Sequence, residues 1–150
     1  MTTLDEAVAL ARADSGLAVV STVRADATVQ ASLVNAGIVT HPATGEPVLA
    51  FVTYGRVKLA NLRARPPIAV TFRAGWQWAT VEGRAELAGP ADGPDSASWL
   101  TDRDGLRLLL REIFVAAGGT HDDWDEYDRV MAEQRRTAVL IAPTRVYSNG

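Results

Sequence analysis

The chain of 150 residues has no cysteine, two histidines and one lysine, and each scarcity removes a class of chemistry. Without cysteine there is no disulfide, thiolate zinc site, iron–sulfur cluster or cysteine nucleophile, a composition that suits a reducing compartment. His41 and His121 form no His-x-x-x-His pair. His121 precedes Asp122-Asp123, but acidic residues there are explained by capping a helix, so no metal site is expected. No Gly-x-Ser-x-Gly elbow accompanies either histidine, which removes the usual setting of a hydrolytic triad. Neither a P-loop nor a Gly-x-Gly-x-x-Gly turn is present, so a phosphate would have to be held by other means.

Long apolar runs are also missing. Stretches such as 17–20 and 138–142 fall far short of the ~20 residues a membrane helix needs. The N-terminus is neither basic nor followed by an apolar run, so no secretory signal is expected and a cytoplasmic protein is the natural reading. A net charge of −3 and a pI near 5.3 give no general affinity for nucleic acid or anionic membrane. With 47% hydrophobic residues and a mean hydropathy of +0.01, one globular domain over 1–150 is expected. The basic residues are lopsided: fourteen are Arg, and Lys58 stands alone.

What is present alternates strand and helix patterns. Thr3 with Glu6 makes a capping-box start, and Leu4, Val8 and Ala11 recur at helical spacing, predicting a helix over about 4–14. β-Branched residues then predict a hairpin from 17–24 and 28–40, and further strands at 48–53, 68–73 and 77–87. A short helix at 56–63 ends before Pro66-Pro67. After the Pro/Gly loop 89–95, apolar residues at i, i+3, i+4, i+7 and i+8 predict helices over 106–116 and 123–133. A final strand over 137–148 is expected to break at Pro143. Six strands with helices at the ends and in one insertion predict an α+β fold around an antiparallel barrel or sheet.

Three pieces carry chemistry. In the run from Thr53, Tyr54 and Gly55 through Arg56, Val57 and Lys58 to Asn61, a strand ends, a glycine turns and a helix begins. Free N–H groups with Arg56 and Lys58 make a candidate anion corner, although a solvated basic turn reads the same way in sequence. In the strand Leu33-Val34-Asn35-Ala36-Gly37, Asn35 interrupts an apolar face; as a buried amide it would need partners, and Gly37 would leave room for something flat. Trp76 and Trp78 lie two apart, as core filling, a dimer contact or a wall for an aromatic ligand.

Taken in order, these motifs resemble the pyridoxamine 5′-phosphate oxidase-like split β-barrel superfamily, and within it the branch of reductases that use the deazaflavin coenzyme F420. The most specific part is Arg-x-Lys-x-x-Asn-Leu-x-x-x-Pro at 56–66, followed by the strand ending Val81-Glu82-Gly83. The resemblance implies a six-stranded antiparallel split barrel, the FMN-binding split barrel, with an N-terminal helix and a helical insertion before the last strand. It implies a homodimer with the cofactor between subunits. Arg56 and Lys58 would meet its phosphate, backbone from Thr53 to Val57 its ribityl chain, and Asn35, Ala36 and Gly37 its ring; Trp76 and Trp78 would close the site from the partner. The expected activity is hydride transfer to an unsaturated, quinone-like or heteroaromatic acceptor. FMN is the alternative cofactor, and a non-catalytic flavin or haem binder the alternative function. No catalytic acid is assigned; Tyr54 and Tyr147 are the hydroxyl donors to test.

Overall fold

The computed structural model describes residues 1–90 and 92–150, so Ala91 of the Pro/Gly loop lies outside the described residues. Six strands, β1 (Leu17–Val23), β2 (Val29–Thr40), β3 (Pro47–Thr53), β4 (Pro67–Ala74), β5 (Gln77–Ala88) and β6 (Thr137–Ser148), close into an antiparallel barrel in the order β1-β2-β3-β6-β5-β4. The helices are α1 (Leu4–Leu10), α2 (Arg56–Ala64), α3 (Arg103–Ala116) and α4 (Trp124–Glu133). This is the expected α+β split barrel, with α1 ahead of it and α3 and α4 inserted before its last strand.

The period-2 alternation of each strand sends one set of side chains inward and the other outward. Leu49, Phe51, Val70, Phe72, Val81 and Ile141 fill the barrel, joined by Ala7 from α1 and by Leu59 and Leu62 from α2. On the outside, Val39, Val48, Ala50 and Leu140 form a second apolar layer, which Leu106, Leu109, Leu110 and Ile113 of α3 cover. Burying each such side chain contributes ~1.5–3 kcal/mol, so the insertion is held to the barrel by its own core.

Two expected boundaries move. The first helix stops at Leu10 rather than 14, and a 3-10 turn at Arg12–Asp14 leads to Ser15 and Gly16, both with positive φ. Gly16 is needed there because a Cβ would press on the Ala36 carbonyl oxygen. The last strand does not break at Pro143. Gly83 pairs with Pro143 and Glu82 with Arg145, so Thr144 is the extra residue of a β-bulge that lets the strand continue.

Candidate functional site

The corner where β3 meets α2 combines a helix start with a desolvated cation. Side chains cap the first turns of the other three helices: Thr3 for α1, Asp102 for α3 and Asp123 for α4. The N-cap of α2 is Gly55, which offers no side-chain acceptor, so the first-turn N–H groups of α2 are left for another partner. Gly55 itself donates its N–H to Thr53 Oγ1 at 3.2 Å.

Lys58 turns inward from this helix and is 7% exposed. Its Nζ donates to Thr53 Oγ1 at 3.4 Å and lies 5.7 Å from the centroid of the Phe51 ring. Among the described residues no carboxylate pairs with it. Burial pushes the ammonium below the ordinary lysine value, because removing a charge from water disfavours the charged form. Arg56, two residues earlier, faces solvent instead, since positions two apart on a helix do not share a face. It lines an open cavity of about 350 Å³ with Tyr54, Arg63 and Asp95. Val57 is exposed.

Asn61 has a role that the spacing did not reveal. Buried on α2, it donates through Nδ2 to Thr22 Oγ1 at 3.0 Å, and Thr22 passes the chain on to Gln30 Oε1 at 3.1 Å. The far end of α2 is clamped by Arg63, which grips Asp95 with two bonds of 2.6 Å. These contacts fix the helix that aims Lys58.

The β2 segment departs from expectation. Asn35 is exposed on the outer face, donating to the Ser15 carbonyl at 2.9 Å, so it is not a buried amide. Ala36 points into the barrel. Gly37 does not leave room for a flat ligand: a Cβ there would collide with the Ala116 backbone, because the end of α3 lies directly on it. Spacing could not show this, since the covering backbone is about eighty positions away.

Trp76 is 96% exposed and sits in the β4–β5 turn, outside the strand face that Trp78 shares with Thr80 and Glu82. Trp78 stands edge-on to Tyr147 at 6.1 Å. Tyr147 donates to Glu82 Oε2 at 2.5 Å, and that bond raises its pKa above the ordinary phenol value. With Val19, Leu33, Thr71 and Arg73, the two indoles line an open concavity of about 740 Å³. In one chain β1 and β4 separate Trp78 from Asn35, so the structure does not bring them together.

Arg136, which carried no signal in the sequence, lies beside the corner. Its guanidinium is 3.8 Å from the centroid of the Tyr54 ring, and burial lowers its pKa below the usual value. The histidines are engaged locally. His41 Nε2 meets Glu86 at 2.6 Å while its Nδ1 accepts from Ala43 and Thr44, and His121 Nδ1 accepts from Asp123. No cluster of three potential metal ligands occurs among the described residues. No helix there is long and apolar enough to cross a membrane.

A family model described as pyridoxamine 5′-phosphate oxidase matches residues 4–149. Solved structures share the fold at low identity. A conserved hypothetical protein from Mycobacterium tuberculosis is 17% identical, with 99% of this chain and 84% of that one covered and a TM-score of 0.66. An F420 reductase is 18% identical over 87% of this chain and 88% of its own, with a TM-score of 0.55. A FAD-binding protein from Mesorhizobium loti is 15% identical over 98% and 94%, with a TM-score of 0.57.

Proposed function

Because the chain belongs to the pyridoxamine 5′-phosphate oxidase family, we propose that it is an oxidoreductase that binds a flavin-type cofactor at the α2 corner, and that the cofactor is the deazaflavin F420. The observation that carries this reading is Lys58, a buried ammonium with no carboxylate partner among the described residues, beside a helix start without a side-chain cap. An unpaired buried charge is costly, and a phosphate would relieve that cost.

The residues present fit a phosphate at this corner. Lys58 would meet it from the protein side and Arg56 from the solvent side, with first-turn N–H groups of α2 between them; charge-assisted bonds of this kind are roughly twice as strong as neutral ones. Thr53 holds Lys58 in place, and Tyr54, Arg56 and Val57 beside it are exposed to the chain that follows the phosphate. The ring end fits less of the expected surface. With Gly37 under α3 and Ala36 inside the barrel, Asn35 alone of this segment stays exposed on β2. When bound, a reduced deazaflavin supplies a hydride to an unsaturated, quinone-like or heteroaromatic acceptor, and solvent supplies the proton. The chain's part is to bind, orient and shield.

A homodimer belongs to the same proposal. Val19 at 42% exposure, Leu33 at 61% and Trp76 form an apolar outer face that a second copy would cover, placing the partner's Trp76 and Trp78 near the cofactor. Sedimentation of the protein and of Trp76→Ser tests it; a monomer at high protein concentration overturns it.

Titration of the purified protein with F420, followed by cofactor fluorescence, tests the main reading. Saturable binding is expected. No change at micromolar protein, or protein isolated yellow with a flavin spectrum that F420 cannot displace, overturns the deazaflavin and leaves FMN as the ligand of the same corner.

A further inference from the structure

A third cavity, of about 230 Å³, opens between the outer faces of β2 and β3 and the inserted helices, where Asn35, Val52, Phe114, Tyr127, Met131 and Arg136 line it. Its walls combine apolar side chains with a substantial polar share from Asn35, Tyr127 and Arg136. The Phe114 and Tyr127 rings have centroids 5.0 Å apart, and the Tyr127 hydroxyl is already donated to the Leu110 carbonyl at 2.9 Å. Burial pushes that phenol up to about 12, so it stays neutral.

Two polar side chains besides the Tyr127 hydroxyl reach it, one an acceptor and one a cation. Asn35 spends its Nδ2 on Ser15, and its Oδ1 has no partner among the described residues. Arg136 donates Nε to Gln134 Oε1 at 2.9 Å and rests on the Tyr54 ring, and among the described residues no carboxylate or other acceptor takes its terminal nitrogens. Its neighbour Arg135 differs, donating to Asp92 at 2.9 Å. The stack therefore holds the guanidinium in place without neutralising it, and a planar fork so held matches a carboxylate. As for size, an apolar cavity of roughly 150 Å³ accepts benzene, while drug-sized sites begin near ~300 Å³.

We infer that this cavity binds a compact, one-ring apolar molecule carrying a single anionic group, with Arg136 selecting the charge. The binding claim stands without any cofactor; calling the occupant the acceptor rests on the function proposed above.

The test uses benzoate and its neutral counterpart benzyl alcohol, titrated into the full chain while the Met131 methyl resonance is followed. Benzoate should saturate the shift and bind at least ~tenfold more tightly than benzyl alcohol, a difference of about 1.4 kcal/mol. Arg136→Met should erase that preference, Arg136→Lys should retain part of it, and Val52→Phe should block both ligands. Equal affinities in the parent protein, or a preference that survives Arg136→Met, overturns the inference. Repeating the titration with F420 separates the two proposals. Displacement of benzoate by F420 assigns the cavity to the cofactor and overturns this inference. A preference for benzoate that persists where F420 does not bind supports it and overturns the cofactor instead.

Discussion

In the insertion, Arg111 and Arg107 converge on Asp128, with Arg111 Nε at 2.9 Å and Arg107 Nη1 at 3.3 Å, and Arg111 Nη2 also bonded to it. At the α2 corner, Lys58 is more deeply buried, yet among the described residues its ammonium meets a threonine hydroxyl and a phenyl face and no carboxylate. Both regions concentrate cations, but at the corner Asp95 neutralises Arg63 alone, and among the described residues no carboxylate pairs with Lys58. The carboxylate of Asp128 is held below its usual pKa and joins α3 to α4, so its charges serve the fold. Lys58 gives the fold a desolvated charge with no carboxylate beside it among the described residues, which under the function proposed above a ligand phosphate would offset.

The largest expected effect tests the insertion as a structural layer. Gly37→Ala drives a methyl group into the end of α3 and should cost ~1–3 kcal/mol or more in urea unfolding, as overpacked sites do. A variant as stable as the parent would mean that α3 seats loosely. Next, Lys58→Met should weaken F420 binding ten- to hundredfold, about 1.5–3 kcal/mol, without lowering the melting temperature. If stability fell and binding did not, the corner would be structural like the insertion.

Asp128→Asn should do the reverse, lowering the melting temperature by a few degrees with no change in F420 affinity, since a partly exposed pair is worth little more than a surface one. The smallest effect is in pH. Lys58 has a folded-state pKa below its unfolded value, so the unfolded chain binds more protons between the two. Stability of the free protein should therefore rise, relative to Lys58→Met, as pH climbs through that window toward ~10.4, the unperturbed lysine value. A bound phosphate would reverse the sign by holding the proton, and F420 binding should weaken over the same window. Parallel pH profiles of parent and variant would show that the ammonium is not desolvated.

Much of this was legible beforehand. Six strands, a capped first helix and the amphipathic insertion follow from periods of 2 and 3.6 and from Thr3, Glu6 and the leucines of α3. The corner was legible too, because a strand end, a glycine and a lone lysine are neighbours in the chain. Asn35, Gly37 and Arg136 were not. Asn35 turned out exposed, Gly37 lies under α3, and Arg136 reaches Tyr54 across a gap of about eighty residues. Nothing local in their spacing encodes those neighbours.

The sequence alone therefore determined where backbone hydrogen bonds form and which faces are apolar, since both depend on residues a few positions apart. Only the tertiary structure decided which cations found a carboxylate, which glycine was covered and which arginines, among the described residues, were left without one. Those outcomes depend on distances between elements far apart in the chain, and Coulomb energy and steric contact act through space rather than along it.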